Sequence, residues 1–295
     1  MKNSKFRTLL EAGDPVTIDG GLATQLQTQG YDIDNPLWSA SLVRDDPQAV
    51  VDAHRIYLDA GAQVIISASY QATAPDLVAK ATELALRARD EFLAANPQGM
   101  EPLVAASVGP YGAVMCDGSE YTGAYDRNKD QLAEFHRPRL LQLDGSRADI
   151  LACETIPARA EAVALCELLR ECETPAWVSF CCRNAAEISD GTTIEDVVGL
   201  FRDHPTVQAV GVNCTGPQYV ASLIKRIKTV VPELAIIVYP NSGEMFDATS
   251  KTWSGTTTAA DWRLAAREWL DAGASLVGGC CRTGPDHIRS IRDLR

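Results

Sequence analysis

Eight short apolar runs recur along the chain, and each is followed by a segment with helical periodicity. The runs are rich in Val, Ile and Ala and are apolar nearly throughout, which is typical of strands buried on both faces of a parallel sheet. Amphipathic segments such as "PQAVVDAHRIYLDAGA" separate them. We therefore predict strands within residues 16–21, 62–69, 102–109, 149–155, 176–182, 209–214, 235–241 and 274–281.

Eight strands alternating with eight helices is the count of a (β/α)8 TIM barrel, an α/β fold. The motif "DAGA" occurs at 59–62 and at 271–274, and in each place its Gly is expected to cap a helix that leads into a strand. A doubly wound open sheet is the alternative, but it normally has fewer strands or an antiparallel edge. Because no linker, low-complexity segment or charge block divides the chain, we predict one domain over residues 1–295.

The composition restricts the possible partners. The chain has 295 residues, of which 46% are hydrophobic, and a formal net charge of −12. This charge argues against nucleic acid or an anionic membrane as a partner. The sequence shows neither a signal peptide nor a membrane span, so we expect a cytoplasmic protein, and nothing suggests a dimerisation arm, so we expect a monomer. An odd count of nine cysteines indicates reduced thiols rather than a disulfide framework.

Reactive residues end four of the predicted strands. Asp19 ends the first strand, Glu154 the fourth and Cys214 the sixth, and Cys280 and Cys281 end the eighth. The carboxyl ends of barrel strands form one mouth, where the active sites of such barrels lie. Three cysteines there suggest Zn²⁺, whose catalytic sites use three protein ligands and keep a fourth position open. Glycines before Cys280 would let the backbone leave strand geometry.

Less specific interpretations stay open on spacing alone. Scattered cysteines are usually buried as small hydrophobic residues, and the adjacent Cys280 and Cys281 could form a strained disulfide. The pair Cys181–Cys182 lacks preceding glycines, and we expect it to serve packing or to support the site from behind. The carboxylates could cap helices. The four histidines fall away from the strand ends and do not suggest metal ligands.

The motifs taken together resemble the homocysteine S-methyltransferase family, and most closely its members that use S-methylmethionine. They occur in the order "DGGLATQLQTQGYDIDNPLWSA", "ASYQAT", "SVGPYGA" with "DGSEYTGAY", "ACET", "GVNC", "VYPNSGE" and "GGCCRT". The match runs from about Asp19 to Arg282. The combination of "GVNC" with "GGCC" is specific, whereas either motif alone would be weak.

The resemblance implies a (β/α)8 barrel with zinc held by Cys214, Cys280 and Cys281. It also implies that Asp19 and Glu154 help to hold homocysteine. A zinc-bound thiol loses its proton, so the sulfur of homocysteine would attack a methyl group on a sulfonium donor and give methionine. This chemistry needs no protein general base.

Further substrate contacts are expected around this centre. Glu154 would bind the ammonium of homocysteine with help from Asp19, and backbone N–H groups near Gly20 and Gly21 could bind its carboxylate. Aromatic faces can hold a sulfonium cation, and the candidates are Trp38, Tyr70 and Tyr111, each of which could equally serve packing. The long loops after the third and seventh strands are suited to be lids or binding loops.

Two kinds of alternative function remain. The same zinc barrel could use S-adenosylmethionine or betaine as its donor, whereas a chain filled by one barrel leaves no module for cobalamin or folate. A non-catalytic zinc barrel or a thiol-redox barrel belongs to another class. It predicts a fourth protein ligand, or a reversible disulfide between Cys280 and Cys281.

Overall fold

The computed structural model describes residues 4–33, 39–243, 245–247, 252–254 and 258–294. The strands within these ranges are β1 Val16–Thr17, β2 Val64–Ile66, β3 Leu103–Val108, β4 Ile150–Ile156, β5 Ala176–Phe180, β6 Val207–Asn213, β7 Ala235–Tyr239, β8 Met245–Asp247, β9 Thr252–Ser254 and β10 Leu276–Val277. The α-helices are α1 Lys5–Glu11, α2 Leu22–Thr28, α3 Ala40–Asp45, α4 Pro47–Ala60, α5 Pro75–Ala95, α6 Tyr111–Met115, α7 Lys129–Asp144, α8 Arg159–Leu168, α9 Ile194–Val198, α10 Pro217–Val230, α11 Ala259–Ala272 and α12 Pro285–Arg292. Short 3₁₀ helices lie at Ser119–Tyr121, Leu169–Glu171 and Gly199–Phe201. Over the described ranges, none of the helices combines the length and apolarity that crossing a membrane requires.

Eight parallel strands form one sheet in the order β1-β10-β7-β6-β5-β4-β3-β2. A parallel bridge between Ile18 and Val64 joins the two ends of this order. The Asp19 N–H donates to the Val64 carbonyl at 3.0 Å, and the Gln63 N–H donates to the Thr17 carbonyl at 2.7 Å. The predicted (β/α)8 barrel is therefore confirmed.

Six of the eight barrel strands lie inside the predicted runs, whereas β4 extends one residue beyond the end of its run and β6 begins two residues before its run. The last strand ends at Val277, so Cys280 and Cys281 belong to the loop that follows it. Both predicted helix caps are confirmed, since Gly61 and Gly273 adopt the left-handed conformation with φ of 104° and 113°. The antiparallel pair β8–β9 lies in the long loop after β7, and the apolar pattern did not predict it.

Two apolar layers hold the barrel together. The larger cluster lies between the strands and the surrounding helices, and the smaller one fills the barrel interior. Phe6 of α1 belongs to the interior cluster, and its ring centroid lies 6.1 Å from that of Trp177. Helix α1 thus covers the amino-terminal end of the barrel with apolar side chains. The opposite end holds the polar groups described next.

Candidate active site

The three cysteines predicted as metal ligands come together at the carboxyl ends of the strands. The sulfurs of Cys214, Cys280 and Cys281 all lie within 4.8 Å of one another. The structure pairs Cys214 with Cys280 as a disulfide, with their Cα atoms 5.6 Å apart, and leaves Cys281 as a free thiol. The disulfide considered from the sequence, between Cys280 and Cys281, is not present in this structure. A thiolate–metal site requires the reduced form of Cys214 and Cys280, because a disulfide sulfur carries no thiolate.

Main-chain hydrogen bonds fix the loop that carries Cys280 and Cys281. The N–H groups of Gly278 and Gly279 donate at 3.0 Å to the carbonyls of Val238 and Asp19, and the Cys280 N–H donates to the Pro240 carbonyl at 2.8 Å. Neither glycine has a positive φ. The reason for glycine here is therefore not the conformational freedom expected from the sequence.

Space explains these two glycines instead. A Cβ at Gly278 would overlap the side chain of Ile18, and a Cβ at Gly279 would overlap that of Thr283. The absence of both side chains lets the cysteine loop lie directly against the end of β1. Sequence and packing thus bring Cys280 next to the segment that bears Asp19.

Gly20 and Gly21 form the other side of this contact. A Cβ at Gly21 would lie 2.5 Å from the Cys280 carbonyl oxygen. The Gly21 N–H donates to the carbonyl and hydroxyl oxygens of Thr283 at 3.0 and 3.2 Å, and the Tyr57 hydroxyl lies 2.9 Å from the Gly21 carbonyl. Because the Gly21 N–H already has these acceptors, the structure does not favour its predicted use for a substrate carboxylate.

Asp19 lies in the mouth and is only 1% exposed. Its Oδ2 accepts the Ile66 N–H at 2.8 Å, while its Oδ1 is buried and has no hydrogen-bond partner among the described residues. Burial raises the pKa of Asp19 well above its usual value, and the charge of Glu154 adds to this increase. An unpaired buried carboxylate oxygen of this kind is a ready acceptor for a ligand N–H group.

Glu154 is the second buried carboxyl group, 6% exposed, within the strand β4. The Ser107 hydroxyl donates to its Oε1. Burial raises the pKa of Glu154 to about 7, although hydrogen bonds from Ser107 and Tyr239 lower it. Its electrostatic interaction with Asp19 indicates that the two predicted substrate-binding carboxyls belong to one site.

Asn213 connects Glu154 with Cys214, a role that the residue pattern along the chain does not indicate. Its Oδ1 accepts the Thr155 N–H at 2.7 Å and the Ser179 hydroxyl at 2.9 Å, and its Nδ2 donates to Thr155 Oγ1 at 2.7 Å. Thr155 and Cys214 have positive φ values of 60° and 46°. Such φ values are unfavourable for residues other than glycine, most of all for a β-branched one. The Asn213 amide therefore stabilises the strained backbone directly after Glu154.

The second cysteine pair lies behind the site, as expected. Cys181 and Cys182 are buried, and the Cys181 thiol donates to the Cys214 carbonyl at 3.3 Å. The Cys182 N–H donates to the Thr215 hydroxyl at 2.9 Å. Burial raises the pKa of Cys181 to about 12, which makes it a poor nucleophile.

The three aromatic candidates for donor binding have different positions. Tyr70 hydrogen-bonds to Thr155, and the charge of Glu154 contributes to its raised pKa, so Tyr70 belongs to the mouth. Tyr111 packs edge-on against Tyr125 and Phe135, which favours the packing interpretation for this residue. Trp38 lies outside the described residues.

The 3₁₀ helix Ser119–Tyr121 adds two residues, Glu120 and Tyr121, to the mouth. The Tyr121 hydroxyl hydrogen-bonds to the Cys281 sulfur, although 44% of Tyr121 is exposed. Burial raises the pKa values of Tyr70 and Cys281, and the charge of Cys281 together with burial raises that of Tyr121; the charge of Glu120 adds to all three increases. The sequence feature that marks this turn is the motif "DGSEYTG", whose Gly118 adopts the left-handed conformation with a φ of 83° directly before the 3₁₀ helix.

A buried polar network supports this loop from the helix side. Glu161 is fully buried and accepts hydrogen bonds from the Tyr111 N–H at 2.6 Å and from the Tyr125 hydroxyl. It also forms a hydrogen bond with His136 Nε2 at 2.7 Å. Arg139 is buried beside His136 and donates to the carbonyls of Tyr70, Ala72 and Gly109. The network therefore ties the loops after β2 and β3 to helices α7 and α8.

Residues 16–294 match the family model described as homocysteine S-methyltransferase. The chain is 41% identical to "Homocysteine S-methyltransferase YbgG" of Bacillus subtilis, over 96% of this chain and 95% of the relative. It is also 41% identical to a homocysteine S-methyltransferase of Escherichia coli, over 99% of this chain and 98% of the relative.

The fold is also similar to solved structures of the homocysteine methyltransferase MmuM from Escherichia coli. The oxidized form superposes with a TM-score of 0.90 at 38% identity and covers 99% of this chain and 100% of that one. The metallated form superposes with a TM-score of 0.88 at 38% identity and covers 98% and 99%. From the matched family model and these near full-length relatives, it follows that the chain belongs to the homocysteine S-methyltransferase family.

Proposed function

We propose that this chain transfers a methyl group from a sulfonium donor to homocysteine, giving methionine, with zinc as its metal. The proposed donor is S-methylmethionine, with S-adenosylmethionine as the alternative. The observation that carries the proposal is the convergence of three cysteine sulfurs with two buried carboxyl groups at one end of the barrel. The relatives' names support homocysteine as the acceptor.

The donor set fits a zinc ion. Thiolates are soft ligands that favour zinc, and Cys214, Cys280 and Cys281 offer three sulfurs in close proximity. The match to a metallated relative supports a metal at this site. When bound, zinc lowers the pKa of the thiols that ligate it and so provides a thiolate at neutral pH.

Asp19 and Glu154 are the proposed binding groups for the ammonium of homocysteine. Asp19 Oδ1 has no partner among the described residues, so an ammonium N–H would satisfy it. The Ser107 hydroxyl already holds one oxygen of Glu154, which orients the carboxyl group. Because burial favours the neutral form of both acids, an arriving cation would restore their charged forms and gain charge-assisted hydrogen bonds.

Aromatic groups are proposed to hold the donor cation. Tyr70 is the candidate that its contacts favour, and Trp38 stays a prediction from the sequence. A cation over an aromatic face gains about 0.5–2 kcal/mol. Tyr70 is fixed by its hydrogen bond with Thr155, and Arg139 donates to the Tyr70 carbonyl at 3.3 Å. Positioning of thiol and methyl group in one site would then supply much of the rate enhancement.

The test is a methyl-transfer assay that follows methionine formation from homocysteine with S-methylmethionine, S-adenosylmethionine and betaine. Wild-type protein, purified under reducing conditions, is expected to contain about one zinc per chain and to prefer a sulfonium donor. Cys280→Ser should lose both metal and activity. Cys166→Ser is the matched control, because Cys166 lies on α8 and its thiol donates to the Leu200 carbonyl, away from the mouth. A metal-free Cys280→Ser protein with full activity would refute the proposal.

The pairing of Cys214 with Cys280 favours one alternative, a thiol-redox barrel without methyl transfer. It predicts a reversible disulfide between these residues and no methionine formation by the reduced, metal-loaded protein. Thiol titration before and after reduction, combined with the methyl-transfer assay, distinguishes the two functions. Betaine as the preferred donor would instead retain the acceptor chemistry and change only the donor.

A further inference from the structure

Glu120 is a charged residue of the mouth to which the proposed chemistry gives no role. It lies in the 3₁₀ helix Ser119–Tyr121, which packs against β4, the strand that carries Glu154. Its Oε2 is buried and has no hydrogen-bond partner among the described residues. Glu120 as a whole is partly buried, but a single carboxylate oxygen that is buried without a partner is costly, which indicates that a ligand completes the site.

The position of Glu120 is fixed by its surroundings rather than by a flexible loop. Asp117 accepts the Ser119 N–H at 2.9 Å, and the Gly123 N–H donates to the Ser119 carbonyl at 2.8 Å. A Cβ at Gly112 would overlap the backbone of Ser119 and Glu120. Gly112 therefore lets helix α6 press the 3₁₀ helix into one place.

The neighbours of Glu120 place its charge in the substrate region. The carboxylate interacts electrostatically with Tyr70, Cys181 and Cys281, and the adjacent Tyr121 hydroxyl bonds to Cys281. Burial raises the pKa of Glu120, and the charged side chain that adds to this increase is Asp117, which is also acidic. Among the described residues, no cationic side chain has an effect on Glu120 comparable to that of Asp117.

The charges of the proposed substrates suggest which group neutralises Glu120. An amino-acid sulfonium such as S-methylmethionine carries two positive charges, on sulfur and on the α-ammonium, and one carboxylate. Asp19 and Glu154 are assigned to the ammonium of homocysteine, so a second ammonium needs another acid. A donor with a single positive charge and a carboxylate, such as betaine, offers no second cation and brings a like charge towards Glu120.

We propose that Glu120 binds the α-ammonium of the methyl donor and thereby selects amino-acid sulfonium donors over donors that lack an ammonium. This role rests on the proposed function and adds to it a residue that recognises the methyl donor. The unpaired Oε2 accepts the ammonium N–H. A charge-assisted hydrogen bond of this kind corresponds to about 10–100-fold in donor affinity.

The test compares two donors with the same dimethylsulfonium group. S-methylmethionine has the ammonium, and dimethylsulfoniopropionate lacks it. For wild type and Glu120→Gln, kcat/KM is measured for each donor at saturating homocysteine, and the KM of homocysteine is measured separately. Asp126→Asn is the control, because it removes an exposed acid from the same loop.

Glu120→Gln is expected to lower kcat/KM for S-methylmethionine about 10–100-fold and to change that for dimethylsulfoniopropionate by less than about threefold. The KM of homocysteine should stay the same, which also shows that the mouth is intact. Glu120→Asp should restore part of the preference, and Asp126→Asn should behave as wild type. An equal loss with both donors, or an unchanged preference, overturns the role of Glu120 but leaves homocysteine methylation standing. A wild-type protein that methylates homocysteine with neither of these donors nor with S-adenosylmethionine overturns the proposed function and this role together.

Discussion

Replacement of Asn213 by Ala tests whether one amide holds the candidate site in its strained shape. Asn213 and Thr155 are 0% and 1% exposed, and three hydrogen bonds of 2.7–2.9 Å join Asn213 to Thr155 and Ser179. The substitution leaves the Thr155 N–H buried without an acceptor, which costs about 1–3 kcal/mol, and loses two further bonds of about 1 kcal/mol each. We therefore expect a destabilisation of about 3–5 kcal/mol.

The assay is thermal unfolding followed by circular dichroism. At about 2–4 °C per kcal/mol for a chain approaching this size, the melting temperature should fall by at least about 6 °C. Asn184→Ala is the matched control. Asn184 also makes three hydrogen bonds, to Glu187 and Ala186, but in a partly exposed loop where water replaces them. It should shift the melting temperature by much less.

A double-mutant cycle measures the coupling between Asn213 and Thr155, which contains both the backbone strain and the bond between their side chains. Glycine adopts positive φ without penalty, so Thr155→Gly removes both the strain and one of the three bonds. In that background Asn213→Ala should cost about 1–2 kcal/mol less than in wild type. A fall of under about 2 °C for Asn213→Ala, or strict additivity in the cycle, would contradict the argument that Asn213 stabilises the backbone after Glu154.

Three further predictions follow from other parts of the fold. Gly211→Ala should prevent soluble expression or lower the melting temperature strongly, because a Cβ there would overlap the Ile237 carbonyl of the neighbouring strand. Gly145→Ala is the control and should be tolerated, because the atom nearest to a Cβ at that position lies 3.6 Å away. Stability should fall by about 3 kcal/mol as the pH rises from about 4.5 to about 7, because the folded protein holds a proton on Glu154 that the unfolded chain releases. The measurement is the melting temperature of wild type and of Glu154→Gln across this pH range. A difference between the two proteins that does not change with pH would contradict the prediction. Glu161→Gln should destabilise by about 3 kcal/mol, because it weakens a buried set of three hydrogen bonds, and an unchanged melting temperature would show that this network does not hold the loop.

The fold was predictable because its signal is repetitive. Each strand buried on both faces is an apolar run, and each "DAGA" motif supplies a glycine where the helix must end. The convergence of Cys214 with the other two cysteines followed from the same pattern, since strand ends of a barrel meet at one mouth. The number of predicted strands and the position of each cysteine at a strand end were sufficient for that inference, and no side-chain detail was needed.

The remaining features depend on contacts that periodicity does not encode. Glu120 and Tyr121 reach the mouth only because Gly112 lets a short helix pack closely, and nothing in the spacing of "DGSEYTG" specifies that direction. The pairing of Cys280 with Cys214 rather than with Cys281 depends on the loop geometry after β10. The roles of Asp19 and Glu154 towards homocysteine stay predictions.

The closure of the barrel also determines when the site can exist. The Gly21 N–H bonds to Thr283, 262 residues further along the chain, and the Gly279 N–H bonds to the Asp19 carbonyl. During synthesis on the ribosome, the segment that bears Asp19 emerges first and has to wait for nearly the whole polypeptide before its partner is made. The mouth is therefore among the last parts of the molecule to be assembled, and the three cysteines of the proposed metal site come together only after the final strand has closed the ring.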